Sequence, residues 1–180
     1  MAETDRTILL KEKLLSAGID EIAAHGVRDF SLRRVAAACG ASCAAPYKHF
    51  KNKEEFLRAT IEYIDEKWEH LSRQIVSSFD DPVERIARLC AANVRFKLAN
   101  PLYDMGDGRF TPSVAAEIRS LFREGEAAEN LLFTVAALVC GTACLIESGK
   151  LTDADRAVNL LTNKIKEQIN SVPVTERRKK

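Results

Sequence analysis

Tyr47, Lys48 and His49 put a phenol, an ammonium and an imidazole on three consecutive residues of the stretch Ser31–Lys53, SLRRVAAACGASCAAPYKHFKNK. Groups of this kind reach phosphate oxygens, while the small residues before them, Ser42, Cys43, Ala44 and Ala45, allow a backbone to come close to a groove. Between Arg28 and Lys53 six cations (Arg28, Arg33, Arg34, Lys48, Lys51 and Lys53) accompany a single anion, Asp29. The chain as a whole is nearly neutral, with a formal net charge of +1. One basic segment in a neutral chain suits a partner that is anionic at one place, such as a duplex backbone. A solvated charged face is the plainer reading of a charge run, but this run coincides with a pattern for two helices and a turn.

Ser31 is a helix N-cap type, and Leu32, Val35, Ala36 and Cys39 follow at helical spacing as a candidate buried stripe. Gly40 stands where that helix must stop, because glycine adopts the left-handed C-terminal conformation without steric cost. Ser42 can cap a second helix over Cys43–Phe50, so the spacing predicts a helix-turn-helix. Tyr47 and His49 are then expected on the duplex backbone, with Cys43, Ala44, Ala45 and Lys48 toward base edges. Lys53 opens the next helix, where outward backbone N–H groups favour a phosphate. The candidate DNA-contact set is Ser31, Arg33, Ser42, Cys43, Ala44, Ala45, Tyr47, Lys48, His49 and Lys53.

The run Ser31…Val35-Ala36…Cys39-Gly40-Ala41-Ser42…Pro46-Tyr47-Lys48-His49-Phe50-Lys51-Asn52-Lys53-Glu54 resembles the DNA-binding domain of TetR/AcrR transcriptional regulators. Upstream, Leu14-Leu15-Ser16-Ala17…Ile22-Ala23-Ala24-His25-Gly26 is similar to the first helix of that family and its terminating glycine. Departures are Gly18 for the usual alanine, Ala41 for a larger apolar residue and Cys43 for a polar one. The resemblance implies an all-α chain: an N-terminal three-helix DNA-binding domain with a helix-turn-helix, then a C-terminal helical ligand-binding and dimerisation domain.

The remaining pattern is helical throughout. Helix one is expected over about 7–25, ended by Gly26, and a long helix is capped by Asn52, with Glu55 in a capping-box position, and runs to about Ser78. Asp81-Pro82 opens a helix reaching about Ala99, and 102–112 is irregular, with Gly106, Gly108 and Pro112. Helices follow over 113–124, 126–148 and 153–171. The expected domains are 1–52 for DNA, 53–173 for effector binding and dimerisation, and a mobile basic tail at 174–180. Hydrophobic residues at 46% and charged residues at 29% exclude a disordered chain.

The last two helices are candidates for self-association as a four-helix bundle about a two-fold axis, which the resemblance also implies. The expected interface is Leu132, Val135, Val139, Val158, Leu161 and Ile165; closure of the chain's own core is the alternative use of the same stripes. An apolar effector pocket is implied by the resemblance. Candidate aromatic walls are Trp68, Phe96, Tyr103, Phe110, Phe122 and Phe133, and candidate polar groups are His70, Asn93, Arg95 and Glu147. Each aromatic taken alone reads first as ordinary core.

The five cysteines include no CxxC and no zinc spacing, so they read as small buried hydrophobes, and no metal or cofactor is expected. No glycine-rich phosphate loop, nucleophile elbow or HExxH motif marks an enzyme. Without an N-terminal apolar segment or an uninterrupted run of eighteen apolar residues, a cytoplasmic location away from membranes is expected. The expected partners are a double-stranded operator, a second copy of the chain and a small-molecule effector of unknown identity. A repressor released by effector is the leading expectation; a helical small-molecule-binding or adaptor protein without DNA regulation is the alternative.

Overall fold

The computed structural model describes residues 3–103, 112–123, 125–173, 175 and 177 of the chain. Among these are α1 (Glu3–His25), α2 (Leu32–Ala38), a 3-10 turn (Pro46–Lys48), α3 (Lys53–Ser78), α4 (Pro82–Ala99), α5 (Pro112–Leu121), α6 (Glu126–Glu147) and α7 (Ala154–Ser171). No strand occurs among the described residues; Phe122 and Arg177 form an isolated antiparallel bridge. The fold is all-α, as the periodicity predicts.

The chain divides into two compact units, Met1–Lys67 with Asn100–Gly106, and Trp68–Ala99 with Asp107–Lys180. The first unit extends into α3 because Phe56 and Ile64, one helical face, are fully buried there. Phe56 meets Phe30 at a tilt and Phe50 edge-on, with centroids 5.4 and 4.8 Å away. Gly18 of α1 faces the same ring: a Cβ at that position would stand 2.6 Å from Phe56. Glycine at this position is therefore a packing requirement. Asn52 caps α3 through Glu55 N–H at 2.8 Å, and the Glu55 carboxylate accepts from Lys51 N–H at 2.8 Å, a capping box displaced by one residue on its return bond.

In the second unit α4 packs against α5, α6 and α7, and α6 against α5 and α7. Asp81 caps α4, accepting from Val83 N–H at 3.2 Å and Glu84 N–H at 3.3 Å. The core gathers Ile86, Leu89, Cys90 and Val94 of α4 with Ile118, Leu131, Val135, Val139, Val158, Leu161, Ile165 and Ile169. Glu84 ties α4 to α7, pairing with Lys166 as well as with Arg88 at 2.7 Å; Arg85 ties α4 to α5 through Glu117 at 2.9 Å. The tail expected to be mobile is held at one place: Arg177 donates to the Ile169 carbonyl at 2.9 Å and lies 5.9 Å from the Phe122 ring centroid.

Two expectations for α6 and α7 change. Val135, Val139, Val158, Leu161 and Ile165 are buried in this chain's own core, and Leu132 packs against it. They close the second unit instead of facing outward. The outward face of α6 carries Phe133, Ala137, Cys140, Gly141, Cys144 and Leu145, all exposed, and α7 adds Leu160. Of the five cysteines only Cys90 is buried, where loss of hydration pushes its thiol far up; Cys43, Cys140 and Cys144 are exposed and Cys39 is half-buried.

Candidate nucleic-acid interface

The interface is built on α2 and the segment that follows it. Ser31 has extended backbone (φ −134, ψ 114) and its hydroxyl accepts from Arg34 N–H, so it caps α2. Leu32, Val35 and Ala36 bury one face, leaving Arg33 exposed on the other. The helix ends in a Schellman arrangement: Gly40, at φ +64, donates to Ala37 at 3.0 Å, and Ala41 donates to Ala36 at 2.9 Å. A residue with a side chain would be strained at Gly40.

Beyond the turn the structure departs from the expected α-helix over 43–50. Ala45 donates to Ser42 at 2.9 Å, Lys48 to Ala45 at 3.2 Å and His49 to Pro46 at 3.0 Å, all three-residue closures. Pro46 has no N–H to give to the Ser42 carbonyl, so an α-helical bond cannot form there and the chain tightens into a 3-10 turn. Only Phe50, donating to Pro46 at 2.9 Å, closes over four residues. The Ser42 carbonyl, rather than its hydroxyl, receives the first bond of this segment.

The turn still sorts its residues. Ser42, Cys43, Ala44, Tyr47 and Lys48 are exposed and His49 is half-buried, while Ala45, Pro46 and Phe50 are buried and anchor the segment. Ala45, at 7% exposure, is withdrawn from the base-facing set. Tyr47, at 60% exposure, is the most prominent apolar surface of the segment. Lys53 is half-buried, its ammonium donating to the carbonyls of Val27 at 2.9 Å and Arg28 at 3.4 Å while lying 5.5 Å from the Phe30 ring centroid. It therefore fastens the loop between α1 and α2, and Asn52 already takes the Glu55 N–H at the start of α3. A second group that the sequence reading missed lies beneath α2: the buried Glu21 carboxylate, which binds Arg34. An acidic residue on the inner face of α1 was its only signal.

Within the second unit the described effector candidates differ in exposure and partners. Trp68 and Phe96 pack together at 5.4 Å in the second unit, where Asn93 is also buried. Arg95 is exposed and paired with Asp155 at 2.7 Å, and His70 and Glu147 are exposed. Phe122 is fully buried in the core and Phe133 is 76% exposed. Tyr103 belongs to the first unit, and Phe110 lies outside the described residues. A cleft of about 460 Å³ in the second unit is lined instead by residues of α6, α7 and their connection, including Leu138, Lys150, Leu151, Arg156 and Leu160.

A family model for bacterial regulatory proteins of the tetR family matches residues 14–60. No curated protein matches the chain. Among solved structures, a protein of unknown function from Rhodococcus sp. RHA1 is 23% identical, over 88% of this chain and 94% of that one, with a TM-score of 0.65. A TetR-family transcriptional regulator from Pectobacterium atrosepticum is 16% identical over 98% and 100%, with a TM-score of 0.61. A transcriptional regulator of the TetR/AcrR family from Thermobifida fusca YX-ER1 is 21% identical over 94% and 99%, with a TM-score of 0.59. These likenesses concern the fold, whereas the match over 14–60 covers the helix-turn-helix itself. Residues 14–60 are accordingly similar to the DNA-binding domain of tetR-family regulatory proteins, and the chain as a whole shares the all-α fold of those solved structures.

Proposed function

We propose that the chain is a ligand-responsive cytoplasmic repressor that binds a palindromic operator as a homodimer, with 1–52 addressing DNA and 53–173 serving dimerisation and effector binding. One helix-turn-helix reads one half-site, and a two-fold axis supplies the second reader that a palindrome requires. The observation carrying this reading is the outward face of α6. The helix of 22 residues is long and apolar enough to cross a membrane, with a stretch of 18 residues at a mean hydropathy of 1.8, yet only 22% of that stretch is buried. The opposite stripe, Ala128, Leu131, Val135, Val139 and Ala143, is committed to the core, so lipid on all sides would dismantle the second unit. A second copy, laid over Phe133, Ala137, Gly141, Leu145 and Leu160, covers the exposed stripe without that loss. Ala137 and Gly141 let two helices approach closely.

Light scattering tests the assembly. The chain should weigh about twice its 20.0 kDa, and Phe133→Asp should return it to the mass of one chain without unfolding it. A wild-type mass of one chain at micromolar concentration would contradict the homodimer. The effector reading draws on the packed pair of Trp68 and Phe96 beside buried Asn93. Trp68 is the single tryptophan, so its fluorescence reports ligand binding directly in a compound screen. Compounds that release DNA without altering that fluorescence would place the effector elsewhere.

A further inference from the structure

Helix α2 has a cap whose second half comes from another helix. In a capping box the residue at the third helical position, usually Glu or Gln, reaches back to accept from the N-cap backbone N–H. Here that position is Arg34, which has no acceptor to offer. Glu21 of α1 supplies it: its carboxylate accepts from Ser31 N–H at 3.3 Å and from Arg34 Nε at 2.6 Å, with Arg34 Nη2 also in contact. Arg34 Nη2 turns further onto the Asp29 carbonyl in the loop joining the two helices. One buried carboxylate, 8% exposed, thus grips both ends of the first turn of α2.

We propose that Glu21 and Arg34 are positioning residues for DNA recognition, a trans-acting capping box that ties α2, and through the Gly40 turn the segment 42–49, to α1. The proposal rests on the DNA-binding reading above. A carboxylate and a guanidinium joined in this manner fix an angle as well as a distance, because the guanidinium is planar and its donors are fork-shaped. Apolar packing of Leu32, Val35 and Ala36 alone permits α2 to rock about its buried stripe; the tether removes that freedom. It also conceals a negative charge that would otherwise stand beneath a surface meant for phosphates. Half of the Arg34 side chain remains exposed at 48%, which makes a direct phosphate contact the rival explanation for any loss on substitution.

Two variants separate these roles. In the double variant Glu21→Gln/Arg34→Glu the third position of α2 regains its own acceptor for Ser31 N–H, so the cap is restored and the tether is cut. Its melting temperature should stay within about 5 °C of wild type. Discrimination between a duplex selected by the wild-type protein from a random pool and a scrambled duplex should fall by roughly ten- to a hundredfold, the scale expected of a small misplacement. Arg34→Met cuts the same tether at its exposed end, where folding tolerates substitution, and offers Ser31 N–H no acceptor of its own. It should lose discrimination similarly with an unchanged salt slope, and the Ser31 amide should exchange with solvent roughly tenfold faster in the absence of DNA. A salt slope lower by about one ion with discrimination intact would make Arg34 a phosphate contact and overturn the proposal. Unchanged Ser31 exchange in Arg34→Met would overturn it independently of any duplex, and so separately from the DNA-binding reading.

Discussion

At the scale of single residues, the binding domain depends on side chains whose polar ends are turned inward. Lys53 is the clearest case, since its ammonium satisfies two carbonyls of the α1–α2 loop. Lys53→Ala should cost about 1.5–3 kcal/mol of stability, the range for hydrogen bonds to a charged group, read from urea unfolding of the purified protein. A variant as stable as wild type that loses one ion from its salt slope would restore Lys53 as a phosphate anchor. Gly18→Ala should cost a similar about 1–3 kcal/mol by overpacking, because the fully buried Phe56 ring must move; no change in midpoint would show that the ring yields freely.

Two carboxyls give the molecule an acid limb. Hydrogen bonding to Arg34 holds Glu21 below the ordinary carboxylate range, opposed by its burial, and hydrogen bonds from Lys166 and Arg88 do the same for Glu84. A lowered folded-state pKa contributes stability that is complete above the unfolded value of about 4.3 and is lost as pH falls through the folded one. Circular dichroism at graded pH should therefore show wild type weakening below about pH 4, while Glu21→Gln, less stable at neutral pH, loses less on acidification. Parallel acid profiles for the two proteins would exclude Glu21 as a contributor.

At the scale of elements, the caps were legible and the faces were not. Ser31, Gly40, Asn52 and Asp81 announce helix ends by local chemistry, and each end lies where those residues place it. The segment 43–50 shows the limit: its composition suits a helix, but Pro46 removes one donor and the geometry tightens to 3-10. Helix α6 shows another, because apolar residues surround most of it and periodicity cannot say which stripe meets α4 and α7. The Glu21–Arg34 tether escaped notice because thirteen residues separate its partners, and only folding brings them together. The reassignment of faces makes a contrast testable. Leu161→Glu buries a carboxylate in the core and should unfold the second unit, whereas Leu160→Glu, on a residue 55% exposed, should leave helicity intact and weaken self-association. Intact helicity in Leu161→Glu would return that residue to the interface.

At the scale of the whole molecule, the proposed regulator would join a helix-turn-helix for one half-site to an apolar face for a second copy. α3 contributes Phe56 and Ile64 to the first unit and Trp68 to the second, so a ligand that changes packing near Trp68 would act on the same helix that begins directly after the DNA-binding segment. Coupling of two sites requires such a shared element with two states. The family match at 14–60 and the all-helical fold support the regulator; the symmetry of what it reads is the decisive property. Selection of duplexes from a random pool by the purified chain measures it directly. The wild-type chain should enrich an inverted repeat whose half-site centres lie about 34–36 Å apart, or a multiple of that, and Phe133→Asp at most one half-site. Enrichment of a single asymmetric site by the wild-type chain, unaffected by Phe133→Asp, would contradict it.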